Sequence, residues 1–323
     1  MAYPELILKK NEDRRLRQGH LWVFSNEVDV QRTPLESFAA GEIVVVVDSG
    51  GQALGLAYIN PHMLICARLL SRKPNASIGE SFFRHRLLRA LQLRERLFAK
   101  PYYRLVFAES DGLPGLVIDR FGDVLSVQIS TQGMESLKSI LIKVLLDVIS
   151  PKAIWFKNDT AQRQFEGLSQ ESELAFGEFP GAVMIEENGC RFVTDIAGGQ
   201  KTGWFFDHRL SRQQFAGWVG GLRVLDLFSY AGAWGVPAAK NAANVTCVDA
   251  SGAALDLASE SAAINGVEIR MQFVKSDVFE FLKQMREERQ RFDAIVLDPP
   301  ALIKRKKDFK AGFEAYRRLN QMA

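Results

Sequence analysis

The chain has 323 residues, 47% hydrophobic and 24% charged, with a formal net charge of +3; this is too long for one hydrophobic core and predicts two or three domains of an ordinary globular protein. No apolar run approaches the roughly 20 residues of a membrane span, and the start, Met1-Ala2-Tyr3-Pro4-Glu5, lacks the basic-then-apolar order of a signal peptide. Cys66, Cys190 and Cys247 are odd in number and far apart, and the histidines pair with none of them at ligand spacing, which argues against a disulfide framework and a metal site and for a reducing cytoplasm.

The first 72 residues read as a small β domain. Residues 42–48 form a strand, Ser49-Gly50-Gly51 turns, and 53–58 returns as the hairpin partner. Asn60-Pro61 turns again before a strand over 64–70, where Cys66 is a small buried apolar residue. Ahead of these strands the segment 9–17 is basic and carries Arg14, Arg15 and Arg17. Residues 72–79 are polar, contain a proline and mark a linker into a central α+β domain over 73–180. A helix is expected over 81–100, with Phe82, Leu87, Leu88, Leu91 and Leu97 on its apolar side and arginines opposite, ended by Pro101. Strands at 116–119 and 124–129 flank the turn Arg120-Phe121-Gly122-Asp123, followed by a helix near 134–149 and a strand at 153–157.

Residues 181–323 change pattern. Strands at 183–187 and 190–195 flank Asn188-Gly189, a hairpin signal. After Gln200-Lys201-Thr202-Gly203-Trp204-Phe205-Phe206-Asp207-His208-Arg209 and a helix, strands at 223–228, 245–249, 270–275 and 294–297 alternate with helices near 234–241, 253–265 and 278–288. Such alternation with short turns predicts an α/β fold with a doubly wound, mostly parallel sheet, and in such sheets ligands sit at the carboxyl ends of the strands.

Those ends carry the chemistry. Asp226 closes the first strand and faces the next helix, across the turn Phe228-Ser229-Tyr230-Ala231-Gly232-Ala233-Trp234-Gly235. The turn lacks the glycine fingerprint of a pyrophosphate site, and an acid there would repel phosphate. A cofactor with an ammonium and no phosphate fits, which points to S-adenosylmethionine; the bland reading is that Asp226 caps the turn. Asp249 closes the second strand, about 20 residues on, where an acid accepts both ribose hydroxyls. Asp277 is placed to accept the adenine amino group or to cap the following helix. Asp298-Pro299-Pro300 presents a carboxylate and carbonyls on a backbone stiffened by proline, suited to positioning a planar base. Lys304-Arg305-Lys306-Lys307 then holds phosphates at the mouth of the site or is a solvated loop. With segment 9–17 and the arginines Arg84, Arg86, Arg89, Arg94 and Arg96, this makes three basic runs, jointly best explained by RNA.

These residues resemble the bacterial 23S rRNA large-subunit cytosine-C5 methyltransferases that carry an N-terminal PUA RNA-binding domain. The resemblance rests on Arg14-Arg15 with Gly19-His20-Leu21-Trp22-Val23-Phe24-Ser25, on Ser110-Asp111-Gly112-Leu113-Pro114-Gly115-Leu116, on Gln200-Lys201-Thr202-Gly203, on the stretch from Asp226 to Gly235, on Asp249 and on Asp298-Pro299-Pro300. It implies a PUA-like domain over 1–72 and a Rossmann-like class I methyltransferase domain over 181–323. It also implies 23S rRNA as partner, with a homodimer compatible. The implied cofactor contacts are Lys201, Thr202, Phe205, Asp207, Arg209, Asp226, Phe228, Tyr230, Gly232, Asp249, Ala250, Asp277, Val278, Asp298 and Pro299; the implied RNA contacts are Arg14, Arg15, Arg17, Lys304, Arg305, Lys306 and Lys307. His208 stands where relatives usually have Gln.

One departure is large. Methylation at cytosine C5 needs a nucleophile on C6, usually a cysteine thiolate, which the family supplies from a Ser-Cys-Ser-type turn after a later strand. No cysteine follows Cys247, and Ala301 follows Pro300. Only four strands follow the hairpin where seven are usual, so the sequence is expected to be a C-terminally truncated fragment with an incomplete sheet. The alternatives are a guanine-N7 methyltransferase of the same RNA, which needs no cysteine, and a non-catalytic RNA-binding protein on the same scaffold.

Overall fold

The computed structural model of the chain describes residues 3–179, 181–303 and 305–323. Two compact units divide it, residues 1–181 with 196–203, and residues 182–195 with 204–323.

The first unit carries two five-stranded sheets. In the N-terminal one, Ile43–Val47 pairs in parallel with Glu5–Ile7 and antiparallel with Ala53–Ile59; Ile65–Ser71 and Trp22–Phe24 complete the order. Alternate residues Val44 and Val46 meet Leu6, Leu8, Leu16 and Val23 in its core. The sequence reading missed Glu5–Ile7 and Trp22–Phe24, which at three residues each are too short for alternation to show.

The second sheet runs Glu171–Gly177, Ala153–Asn158, Val124–Ile129, Leu116–Phe121, Tyr102–Phe107. Its one parallel pair, Val124–Ile129 with Ala153–Asn158, is joined through the helix Lys138–Ile149. The helix Glu80–Leu97 buries Phe83, Leu87 and Ala90, one stripe at helical spacing, while Leu88 and Leu97 are exposed. This corrects the expected apolar side, which included those two leucines. Glu171–Gly177 was not legible because it is a charged edge strand, mostly exposed. Residues 1–72 and 73–180, read from the sequence as separate domains, share one compact unit. Tyr58 and Leu70 of the first sheet are buried in the core of the second. The Tyr58 hydroxyl lies 3.0 Å from Thr131 Oγ1, and Asn60 Nδ2 donates to Glu166 Oε2 at 2.8 Å.

The second unit opens with the hairpin Ala182–Glu187 and Cys190–Asp195. Its turn residues Asn188 and Gly189 are both left-handed, as an Asn-Gly turn requires. The hairpin docks on the helix Gly252–Ile264, where Val193 N–H donates to Ser261 Oγ at 3.1 Å. Then come four parallel strands, Arg223–Leu227, Asn244–Asp249, Met271–Lys275 and Ala294–Leu297, in the spatial order third, second, first, fourth. Leu225, Leu227 and Val248 pack one face against Phe281 and Leu282 of the helix Val278–Glu287 and Leu319 of the helix Phe309–Met322. The alternate residues Asp226 and Cys247 point to the other face, where Gly235 opens the helix Gly235–Ala239. This is the doubly wound, Rossmann-like sheet expected from the alternation. Strand order reverses between Arg223–Leu227 and Ala294–Leu297, so the crevice at their carboxyl ends is the switch point where ligands bind.

Candidate functional site

Two loops meet that switch point. After Leu227 the backbone turns through Phe228 and Tyr230, with φ of 62° and 47°. Non-glycine residues there carry strain that the surroundings must offset. Ser229 N–H donates to Val248 O at 3.1 Å, Tyr230 N–H to Asp249 Oδ2 at 2.9 Å, and Gly232 N–H to Ser229 O at 2.9 Å. Gly235 lets the helix start pass close over the strand, since a Cβ there would lie 2.6 Å from Cys247 Sγ and 3.1 Å from Asp226 Oδ2.

The second loop follows Leu297. Asp298 Oδ2 accepts from Trp234 Nε1 at 3.1 Å, and its Oδ1 lies 3.9 Å from His208 Nε2. Phe205 meets Tyr230 edge-on, and Phe215 meets Trp234. The Asp298-Pro299-Pro300 turn is pinned from the helix Phe309–Met322. The Tyr316 hydroxyl accepts from Leu302 N–H at 3.1 Å and donates to Pro300 O at 3.5 Å. Carboxylate and aromatic surface thus face one another across the edge of the sheet.

The acids divide by role. Asp249 Oδ1 accepts from Ser251 N–H at 2.8 Å while Oδ2 holds Tyr230; a carboxylate offers about four lone-pair sites, so it retains capacity for ligand hydroxyls. Asp277 caps its helix, Oδ1 accepting from the Phe279 and Glu280 N–H groups. Asp226 corrects the expectation of a carboxylate presented to the cofactor. It is fully buried beneath the turn, bonded by the Gly235 N–H, and burial pushes its carboxyl up to about 7. Val278 likewise puts its side chain into the core, whereas Ala250 is exposed beside Asp249 and Pro299 half-buried beside Asp298.

Below the site lies a buried ion network that the sequence reading missed. Glu187 Oε1 accepts from Arg212 Nη1 at 2.5 Å, and its Oε2 accepts from Trp204 Nε1 and Arg209 Nε, each at 3.2 Å. Arg212 is 2% exposed, bonds Phe205 O and lies over the Trp204 and Trp234 rings. It thereby fixes two of the aromatic groups of the site. Arg209, expected to line the cofactor, is committed to Glu187, while Asp207 remains exposed. The signal present in the sequence was Arg209 and Arg212 on one helical face.

In the first unit, Lys201 is exposed and left-handed. Thr202 is buried, and its hydroxyl donates at 2.5 Å to Asp119, itself paired with Arg104. That hydroxyl, expected to contact the cofactor, is thus committed to Asp119. The basic N-terminal segment is partly ion-paired. Arg15 bonds Glu27 at 2.7 Å, and Arg17 bonds Asp13 at 2.5 Å and Asp48 at 2.8 Å, so their charge is largely offset; Arg14 bonds Asn11. Arg305, Lys306 and Lys307 are exposed, and Lys304 lies outside the described residues.

All three cysteines are buried. Burial pushes the Cys66 thiol up to about 12 and raises those of Cys190 and Cys247, the last also facing the Asp226 carboxylate. None has the electropositive, accessible setting of a reactive thiolate. Among the described residues there is no cluster of three or more candidate metal ligands, and no helix is long and apolar enough to cross a membrane.

Known proteins match this arrangement. A sequence profile of PUA-like domains matches residues 6–72, and one of S-adenosylmethionine-dependent methyltransferases matches residues 159–322. Ribosomal RNA large subunit methyltransferase I of Klebsiella pneumoniae subsp. pneumoniae is 36% identical, covering 99% of this chain and 81% of that protein. The protein of the same name from Salmonella gallinarum is 37% identical, with coverage of 99% and 80%. Among solved structures, one described as a methyltransferase in complex with S-adenosylhomocysteine aligns with a TM-score of 0.80 at 23% identity, over 94% of this chain and 78% of that one. Another, described as an S-adenosylmethionine-dependent methyltransferase from Streptococcus mutans, gives 0.79 at 24% identity, over 96% and 82%. These two establish the fold. The chain belongs to the S-adenosylmethionine-dependent methyltransferase family, in which the ribosomal RNA large subunit methyltransferases I are its relatives. It is an enzyme, and S-adenosylmethionine is its cofactor. The donor set at the switch point, carboxylates with no phosphate cradle, fits a nucleoside bearing an ammonium group.

Proposed function

We propose that this enzyme methylates C5 of a cytosine in 23S ribosomal RNA, in the cytoplasm. The observation that carries the RNA substrate is 36–37% identity across 99% of the chain to ribosomal RNA large subunit methyltransferases I. The cofactor supplies an electrophilic methyl group on a sulfonium. In this reading Asp249 accepts the ribose hydroxyls, and Asp277 accepts the adenine amino group with the lone pairs its capping role leaves. Phe205, Tyr230 and the turn at Gly232 wall the pocket, braced from below by Asp226. Asp298, oriented by Trp234, positions the base against Pro299. Arg305, Lys306 and Lys307 hold phosphates beside that loop.

Cytosine C5 becomes nucleophilic only after a thiolate adds to C6. Cys66, Cys190 and Cys247 are sealed in cores, so this route needs a thiolate that none of the three supplies. Their burial also favours a second reading, methylation of a base atom such as guanine N7 that needs no adduct. The assay is methyl transfer from labelled cofactor to undermodified 23S RNA by the protein as it occurs in its host, followed by nucleoside separation. 5-Methylcytidine is expected, and 7-methylguanosine would establish the second reading instead. Residues 1–323 alone should form no 5-methylcytidine; product from them would overturn the argument about the three cysteines.

A further inference from the structure

We propose that the cleft between the strand Ile65–Ser71 and the helix Glu80–Leu97 binds a single-stranded segment of RNA, with Arg72, Lys73, Arg86 and Arg89 holding its phosphates. The cleft encloses about 820 Å³, which on the usual scale of ligand pockets accommodates one or two nucleotides. Its walls come from the end of that strand, from one side of the helix and from the turn at Glu109–Gly112, all within the first unit.

The charge in the cleft is one-sided once partners are followed. Two carboxylates line it, and each is already neutralised by an arginine outside the proposed set. Glu109 Oε1 accepts from Arg68 at 3.2 Å and from Trp22 Nε1 at 2.7 Å. Asp111 is gripped by both terminal nitrogens of Arg94, at 2.6 and 2.8 Å. The four cations of the set have no carboxylate partner among the described residues. Arg72 donates to the carbonyls of Leu16 and His20, and Arg86 to that of Leu70. Burial and the neighbouring charge of Arg89 both lower the Arg86 guanidinium from its ordinary value. Like charges gathered without counter-ions raise the energy of the free protein, and a bound polyanion relieves it.

The site is also shaped for those cations. Gly112 is left-handed, and a Cβ there would lie 2.5 Å from Arg86 Nη1, so glycine keeps room for the guanidinium. Phosphate alone would leave the apolar lining unused. Leu21, Phe82 and Leu93 line the cleft with apolar surface, on which the faces of unstacked bases rest. A duplex turns those faces inward. Cations beside apolar surface therefore match a single strand.

The inference rests on RNA being the substrate. It is tested by fluorescence anisotropy with a short labelled single-stranded oligoribonucleotide across a salt series. Lys73 and Arg89 are exposed, so Lys73→Gln with Arg89→Gln removes charge without opening a core. Two lost phosphate contacts should lower affinity about tenfold at about 0.15 M salt and flatten log affinity against log salt by about 1.4. Arg15→Gln with Arg17→Gln removes equal charge from ion-paired side chains and should flatten it by less than half as much. If thermal unfolding shows the first variant to be unstable, Arg89→Gln alone is read, with about 0.7 expected. Unchanged affinity and slope in a folded variant would overturn the site. Displacement of the RNA by inorganic triphosphate at equal concentration would reduce it to a phosphate binder and overturn the single-strand assignment. Failure of the wild-type chain to bind any RNA would remove the RNA reading itself, and this site with it.

Discussion

Replacing Glu187 by alanine should destabilise the second unit by about 3–5 kcal/mol. The carboxylate is sealed in the interior and receives hydrogen bonds from Arg212, Arg209 and Trp204. Its loss leaves the Arg212 guanidinium, 2% exposed, with the Phe205 carbonyl as its hydrogen-bond acceptor; Arg212 Nε already has none. Breaking a buried ion pair from one side costs about 3–5 kcal/mol, because a charge remains buried without its counter-charge. Removing both partners, Glu187→Ala with Arg212→Met, should restore part of that loss, since the buried guanidinium left without its counter-charge goes as well. The assay is urea unfolding followed by tryptophan fluorescence, to which the buried Trp204 beside Arg212 contributes. The wild type, Glu187→Ala, Arg212→Met and the variant carrying both form a double-mutant cycle. A loss below about 1 kcal/mol in Glu187→Ala, the range of an exposed pair, would refute the claim that this network is dry and structural.

Two further outcomes follow from the loop above it. Asp226 keeps its proton in the folded chain up to about pH 7, against an ordinary value of 3.8, so between those values the folded state binds more protons than the unfolded one. Its contribution to stability therefore falls as pH rises through that window. Asp226→Asn should remove this term, and its urea midpoint should drop less between pH 5 and pH 8 (about the two sides of the window) than that of the wild type; equal drops would contradict the assignment. Gly235→Ala should cost about 1–3 kcal/mol by overpacking, since the added methyl meets Cys247 Sγ and Asp226 Oδ2. A thermal midpoint unchanged from wild type would mean that the loop yields freely.

Much of the methyltransferase unit was legible because its signals are local. Most of the parallel strands are short β-branched or leucine-rich runs with an acid at or just past the end: Asp249 closes its strand, Asp298 follows Leu297, and Asp277 stands two residues past Lys275 as the cap of the next helix. The Asn188-Gly189 turn carried its own backbone preference. What stayed hidden depends on contacts far apart in the chain. Nothing near Glu187 announces that Arg212 will neutralise it, nor near Arg17 that Asp48, 31 residues away, will pair with it. Asp226 and Asp249 look alike in sequence. Only the pleat, which sends Asp226 under Gly235 and leaves Asp249 half-exposed at the strand end, separates brace from ligand acceptor.

The central claim is that the cofactor sits at the switch point with Asp249 as its ribose acceptor. Calorimetric titration of S-adenosylmethionine into the wild-type chain and into Asp249→Ala tests it most directly. Asp249 also holds the Tyr230 and Ser251 N–H groups, so its loss removes a ligand contact and loosens the loop that walls the pocket. The account predicts one binding site, weakened by about 1–3 kcal/mol, roughly 5- to 150-fold, in the variant. Equal affinity in the two proteins, with both folded, would contradict it.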